Sequence, residues 1–154
     1  MSETHNETVL LRPAPGCRNT RLLLYAIRRM AQGGLNDAFA AHALLSLFGV
    51  RHRRPTVLLR ALMAEMARTS HRQIIVAPCC CGMMTAAEME LLLVISASQD
   101  RSRFAHARIC SLLGVDHALG VLSSAQALAQ AFDDLGRPLD FQAGAEAEPV
   151  FPTD

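Results

Sequence analysis

The stretch Ala77–Glu88, with the sequence APCCCGMMTAAE, lies midway along the chain and organises the segments on both sides of it. Three consecutive cysteines stand between a proline and a glycine, two residue types that mark a turn. Thr85 and Glu88 have the spacing of a capping box, in which each side chain binds the other residue's backbone N–H at the start of a helix. The stretch therefore predicts a cysteine turn, Pro78–Gly82, that leads into a capped helix and separates two halves of the chain.

The residues after the capping box predict a buried helix. Leu91–Ile95 is apolar on every side, which is typical of a helix that no face exposes to water. Ala38–Val50 in the first half has the same character, since only His42 and Ser46 are polar. Both segments are interpreted as central helices.

Four further segments have apolar residues at helical spacing, and Gly and Pro separate them. The predicted helices run over about residues 18–32, 55–70, 102–113 and 118–135, beside those at 37–48 and 86–98. In the helix at 18–32, the apolar stripe leaves Arg21 and Arg28 on the outer face. The predicted fold class is all-α, a six-helix bundle.

Two short runs favour strands. Gln73–Ala77 (QIIVA) is β-prone, and so is Thr8–Leu11 (TVLL) near the start of the chain. Because a lone strand leaves its backbone groups unpaired, the two runs are expected to pair as a minor two-stranded ribbon. Pairing across a dimer is the alternative.

At 154 residues the chain is predicted to form one helical domain over residues 1–136, with an N-terminal arm at 1–17. Residues 137–154 are rich in Ala, Glu, Pro and Gly and are predicted to be a mobile tail. No signal peptide and no apolar run of about 18 residues is recognisable. Five cysteines, an odd number, fit a reducing compartment better than a disulfide framework, so a cytoplasmic location is expected.

The charges are unevenly distributed. Residues 1–75 carry eleven arginines and four acidic residues, whereas residues 76–154 carry four arginines and ten acidic residues. The two halves could attract each other within a monomer or across a dimer. With the high apolar content, this pattern predicts a homodimer and allows a protein partner. Nucleic acid is not an expected partner, because no lysine-rich or aromatic-interleaved patch is present, and neither is a membrane.

A Ser-Leu-x-Gly-Val-x-His phrase occurs twice, at Ser46–His52 and at Ser111–His117. Each copy closes the second helix of a set of three. The phrase predicts two pseudo-repeated three-helix halves. Coincidence in a Leu- and Ala-rich sequence is the alternative.

The cysteine turn is the main candidate site, because thiolates react and bind metals and a helix N-terminus favours negative charge. Cys79, Cys80 and Cys81, with the thioether of Met83, could hold Zn or Cu(I). Alternatively, one thiol could oxidise and a neighbour resolve it. Adjacent residues cannot easily direct three sulfurs onto one ion, and free cysteines packed in a turn are the alternative without chemistry.

Two weaker candidates lie elsewhere. His106 and Cys110 are one helical turn apart, and they would join the site only if their helix approaches the cysteine turn. Arg51, Arg53 and Arg54 could contact an anion or a partner. The competing interpretation is a solvated loop that is salt-bridged to the acidic pair at the end of the sixth helix.

The segments Arg53–Ala61 (RRPTVLLRA) and Ala77–Cys81 (APCCC) together resemble an uncharacterised family of short helical proteins from alphaproteobacteria, a domain of unknown function. The resemblance covers most of residues 18–136 and implies no activity. Neither a Gly-rich phosphate loop nor a nucleophile elbow is present, so an enzyme is not the leading expectation. The function is unknown; the leading hypothesis is a non-enzymatic cytoplasmic interaction or regulatory protein. The alternative is a soft-metal-binding or thiol redox-responsive protein.

Overall fold

The computed structural model describes residues 10–142, and in that range it contains six α-helices and one two-stranded sheet. In chain order the elements are β1 (Leu10–Pro13), α1 (Arg18–Gly33), α2 (Ala38–Phe48), α3 (Arg53–Thr69), β2 (Met83–Thr85), α4 (Ala86–Ala97), α5 (Ser102–Leu113) and α6 (Leu119–Asp134). A single 3-10 turn, Gly49–Arg51, joins α2 to α3.

The all-α class with six helices and a minor ribbon is confirmed, and the helix bounds lie within two residues of those predicted. Within residues 10–142, none of the helices is long and apolar enough to cross a membrane. The parts of the predicted arm before residue 10 and of the predicted tail after residue 142 lie outside the described residues.

The helices pack in the same order in both halves. α1 packs on α2 as α4 packs on α5, and α3 packs chiefly on α6, which joins the halves. Phe132 of α6 is fully buried, and its ring meets the edge of Phe48 at a centroid distance of 4.9 Å. A pseudo-twofold repeat would produce this shared order, and the repeat itself stays a prediction.

The two helices that were predicted to be central differ. Leu91–Ile95 of α4 is buried on every side, as predicted. α2 buries only one face, which consists of Ala40, Ala43, Leu44 and Leu47. The prediction of a buried α2 is wrong, because α1 and part of α3 cover this helix on one side only and leave Phe39 and Leu45 exposed.

The minor ribbon forms, but its second strand is not the predicted one. β1 pairs with β2 in antiparallel fashion, with Leu10 opposite Thr85 and Pro13 opposite Met83. The segment at 73–77 is described throughout and forms no strand. The predicted strand at this place is therefore wrong.

Side chains take the place of a strand partner in that segment. Thr85 Oγ1 donates to the carbonyl of Ile75 at 2.7 Å. Gln32 Nε2 donates to the carbonyl of Ala77 at 3.1 Å, and the N–H of Ala77 donates to Glu88 Oε1 at 2.8 Å. Because these backbone groups already have hydrogen-bond partners, the segment can be partly buried without pairing as a β-strand.

The residues that follow α6 lie against the start of α1. Thr20 Oγ1 donates to the carbonyl of Asp140 at 3.2 Å, and Asn19 Nδ2 donates to the carbonyl of Pro138 at 3.1 Å. Leu139 and Phe141 are partly buried against the core. Residues 137–142 are thus attached to the domain at α1.

Candidate functional site

The cysteine turn connects the segment at 73–77 to β2. The N–H of Cys81 donates to the carbonyl of Pro78 at 3.0 Å and closes a β-turn whose two central residues are Cys79 and Cys80. Cys80 is exposed, and the other two cysteines are half-buried. The Sγ atoms of Cys79 and Cys80 are 3.5 Å apart. Two of the three thiols therefore adjoin each other at the surface.

A buried ion pair holds the ends of the turn. Arg28 of α1 is 2% exposed and Glu88 of α4 is 1% exposed. Arg28 Nε donates to Oε1 of Glu88 at 2.7 Å and Nη2 donates to Oε2 at 2.9 Å, a bidentate contact that fixes direction as well as distance. The guanidinium also donates to the carbonyls of Cys81 at 2.7 Å and Met83 at 2.8 Å. α1 and α4 thus fix the backbone that leads out of the turn.

Glu88 also completes the predicted capping box, which is confirmed. The N–H of Glu88 donates to Thr85 Oγ1 at 3.1 Å, and the N–H of Thr85 donates to Glu88 Oε2 at 3.0 Å. Burial by itself would raise the pKa of Glu88, but the hydrogen bonds from Arg28, Thr85 and Ala77 outweigh it and hold this pKa below its usual value. The carboxylate is ionised and fully bonded inside the protein.

The prediction that Arg28 lies on the outer face of α1 is wrong. An arginine beside a second arginine on a helix normally faces water, so its local sequence indicates exposure. Its partner lies sixty positions away in the chain. The usable signal was Glu88, because a carboxylate at the start of a helix buried on every side needs a cationic partner.

Arg29, the next residue of α1, has different surroundings. Its guanidinium donates to both carboxylate oxygens of Asp37, at 3.1 and 2.8 Å, and lies 4.6 Å from the ring centroid of Phe39. Asp37 is the N-cap of α2 and accepts the N–H of Ala40 at 3.0 Å. The Arg29 side chain stays 23% exposed, and its positive charge lowers the pKa of Cys79. Arg29 therefore pairs with the start of α2 and acts electrostatically on the cysteine turn.

The thiols of Cys79 and Cys80 titrate as a pair. The hydrogen bond from Cys80 lowers the pKa of Cys79, and the positive charge of Arg29 lowers it further. The same contact with Cys79 raises the pKa of the Cys80 thiol. The pair therefore loses its first proton most readily at Cys79, and Cys80 keeps its proton and stabilises the thiolate.

The other predicted ligands lie elsewhere. Met83 is in β2, where its carbonyl binds Arg28. On α5, Nε2 of His106 lies 3.6 Å from Sγ of Cys110. The same Nε2 accepts the N–H of Ala118 at 3.2 Å, which occupies the lone pair that a metal ion would need. Between residues 10 and 142, no group of three or more His, Cys, Asp or Glu side chains is arranged to hold a metal ion. Binding of Zn or Cu(I) thus stays a prediction without an assembled ligand set.

The arginine run at 51–54 lies where α2 meets α3. Nη1 of Arg54 lies 2.9 Å from Oδ2 of Asp134 at the end of α6, so one of the predicted salt bridges is present. Like the Arg28–Glu88 pair, it joins the basic half to the acidic half within one molecule. Arg51 and Arg53 are exposed and form no salt bridge among the residues that the structure describes. They stay free to contact a partner.

The exposed face of α2 and its flanks forms an apolar surface, the α2 strip, which sequence reasoning missed. The exposed fractions are 37% for Leu35, 61% for Phe39, 43% for Leu45 and 94% for Val50. The helix itself has no charged side chain. Its apolar composition indicated burial, whereas a neighbour covers only one of its faces. His42 and Ser46 are also exposed on α2, so the strip is apolar with two polar interruptions. Exposed apolar surface bordered by polar residues is typical of interaction sites.

A protein-family model matches most of the chain. It is described as a family of unknown function (DUF6628), and it matches residues 1–136, which include the cysteine turn and the α2 strip. Neither the curated proteins nor the solved structures contain a match to this sequence. The resemblance to a domain of unknown function is thereby confirmed. The chain belongs to the family of unknown function DUF6628.

Proposed function

We propose that this chain is a non-enzymatic interaction protein that forms a homodimer through the α2 strip. The observation that carries the proposal is the exposure of Phe39 and Leu45 on a helix without charged side chains, and of Val50 in the 3-10 turn that follows it. Covering a large apolar side chain contributes on the order of 1–2 kcal/mol. Several such side chains in one strip make burial of this face in a protein contact favourable.

The ends of the strip favour a second copy as the occupant. Asp37 and the aromatic ring of Phe39 lie at the N-terminal end, and the exposed Arg51 and Arg53 lie just beyond the C-terminal end. In a twofold contact between antiparallel α2 helices, the arginines of each copy reach the exposed ring of Phe39 in the other, whereas Asp37 already pairs with Arg29 of its own chain. The helix dipoles are then antiparallel as well, which is the favourable arrangement.

The cytoplasm is the proposed location. All five cysteines are free thiols, a state that a reducing compartment maintains. The predicted source in alphaproteobacteria stays a prediction.

Sedimentation velocity over a concentration series tests the dimer. The wild-type chain is expected to sediment as a dimer. Leu45→Glu and Val50→Glu should each raise the dimer Kd at least tenfold, about 1.4 kcal/mol, because a carboxylate would be buried in an apolar contact. Leu119→Glu is the matched control, since Leu119 is 65% exposed at the start of α6, outside the strip.

Two results contradict the proposal. The first is a wild-type chain that stays monomeric at every concentration. This result contradicts the proposal even if the monomer binds a different protein through α2. The second is a dimer that Leu119→Glu weakens as much as Leu45→Glu does. Circular dichroism of each variant shows that it has folded.

A further inference from the structure

We propose that Cys79 and Cys80 form a dithiol that hydrogen peroxide oxidises, with Cys79 as the reacting thiol and Cys80 as the resolving thiol. The observation behind it is the 3.5 Å separation of the two Sγ atoms at the centre of an exposed β-turn. The inference does not depend on the α2 strip or on the oligomeric state.

The turn is open to a small oxidant. Cys80 is exposed, and a shallow cavity of about 320 Å³ lies beside the three cysteines. Arg21 and Tyr25 of α1 line the other side of this cavity. Hydrogen peroxide is far smaller than the cavity, so it can reach the sulfur of Cys79 without any movement of the helices.

The surroundings favour Cys79 over Cys80 as the first thiol to react. The thiol of Cys80 lies 3.5 Å from Sγ of Cys79, and its hydrogen bond and the positive charge of Arg29 both stabilise the Cys79 thiolate. The thiolate is the form that attacks a peroxide. Arg29 itself is held in place by its two hydrogen bonds to Asp37. Arg29 is thus a positioning residue for the reacting sulfur.

The reaction balances with peroxide as the oxidant. The Cys79 thiolate attacks one oxygen of hydrogen peroxide, the O–O bond breaks, and hydroxide leaves; the sulfur is oxidised to a sulfenic acid. The sulfur of Cys80 then attacks that of Cys79, an S–S bond forms, the S–O bond breaks, and the released hydroxide takes up the Cys80 proton. Overall, two thiols and one peroxide give one disulfide and two waters.

The expected disulfide is a reversible one. Neighbouring Cα atoms are about 3.8 Å apart, below the usual disulfide range of about 4.4–6.8 Å, and such strain makes the bond easier to reduce. The hydrogen bond of the turn joins Pro78 to Cys81 at its two ends. The peptide between the two central cysteines can therefore rotate without breaking it. A strained and exposed disulfide suits a signal better than a structural link.

Mass spectrometry of the intact, folded chain after treatment with hydrogen peroxide tests the proposal. The expected product has lost two hydrogen atoms, maps to Cys79 and Cys80 after digestion, and returns to the thiol form with dithiothreitol. Cys79→Ser should abolish the product. Cys80→Ser should stop the reaction at a sulfenic acid, which dimedone traps on Cys79. Cys110→Ser is the matched control and should behave as wild type.

The proposal is overturned if Cys79→Ser is oxidised at the wild-type rate, or if the main disulfide joins two molecules or involves Cys81. The role of Arg29 has a separate readout, the pH profile of Cys79 alkylation by iodoacetamide. Arg29→Gln should move the midpoint to higher pH and slow alkylation at neutral pH severalfold, whereas Arg21→Gln, in the same cavity wall, should leave it unchanged. An unshifted profile in Arg29→Gln would remove Arg29 from the proposal.

Discussion

Arg28 and Arg29 are neighbours on α1 and have identical side chains, but the structure places them in opposite environments. Arg28 is buried and bonds Glu88 and the carbonyls of Cys81 and Met83. Arg29 is partly exposed, bonds Asp37, and covers the ring of Phe39. One step along a helix turns a side chain by about 100°, which is enough to move a guanidinium from the core to the rim.

The difference separates support from reactivity around the cysteine turn. A buried charge must be fully compensated, so every contact of Arg28 is short, directed and costly to lose. A partly exposed charge is screened more by water and salt, so Arg29 is expected to contribute less to stability than Arg28, while its charge acts on the thiol of Cys79. The buried hydrogen bonds of Arg28 thus hold the backbone on one side of the turn. On the other side, the thiols of Cys79 and Cys80 lie at the surface near the charge of Arg29.

Replacing Arg28 with methionine should give the largest effect. The variant leaves the Glu88 carboxylate buried without its cation, a situation that costs about 3–5 kcal/mol in the free energy of unfolding. Urea unfolding followed by circular dichroism measures it. Arg21→Met, on the exposed side of the same helix, is the control and should stay within about 0.5 kcal/mol of wild type. Equal losses of stability in the two variants would show that the buried position of Arg28 is not the cause of the loss.

Low pH should reduce the free energy of unfolding through protonation of the buried Glu88. Its pKa is lower in the folded chain than the value of about 4.3 expected when unfolded, so the unfolded chain binds the proton more readily. The stability from Glu88 is therefore present above about pH 4.3 and is lost as the pH falls through the lower folded pKa, about 1.4 kcal/mol for each unit of lowering. Urea unfolding at several pH values should show a shallower acid dependence in Glu88→Gln; an unchanged dependence would contradict this.

Loss of the Thr85 hydroxyl should have a smaller effect on the same network. Thr85→Ala removes the cap of α4 and the hydrogen bond to the carbonyl of Ile75. The expected cost is about 1 kcal/mol in the free energy of unfolding. Thr85→Ser keeps the hydroxyl and should recover most of the difference in the same urea experiment. If serine were as destabilising as alanine, the hydroxyl would not be the group that matters.

Arg29→Gln should have the smallest effect on unfolding, well below that of Arg28→Met. Its ion pair with Asp37 is partly open to water, and Asp37 keeps its bond to Ala40 as the cap of α2. Added salt should remove what difference there is between Arg29→Gln and wild type, while it leaves most of the loss in Arg28→Met. If the loss of stability in Arg29→Gln persisted at high salt, the Arg29–Asp37 pair would behave like the buried Arg28–Glu88 pair, contrary to this prediction.

Local patterns were sufficient for the helices and their caps. The six helices, the Asp37 cap and the Thr85–Glu88 capping box follow from apolar spacing and from contacts between residues at most four positions apart. The closeness of the Cys79 and Cys80 sulfurs is local in the same sense, because a tight turn flanked by proline and glycine holds adjacent residues together. Interactions between residues so close in the chain can be predicted from short stretches of sequence.

Tertiary packing alone settled which surfaces are covered and which charges meet. It left one side of α2 exposed, although composition indicated burial, and it buried Arg28, although its neighbours indicated exposure. It also gave the segment at 73–77 side-chain partners in place of a strand, and set Arg29 beside Cys79. The reason is physical: burial and pairing depend on partners about fifty or sixty positions away, whose placement emerges only when α1 and α4 pack around the turn.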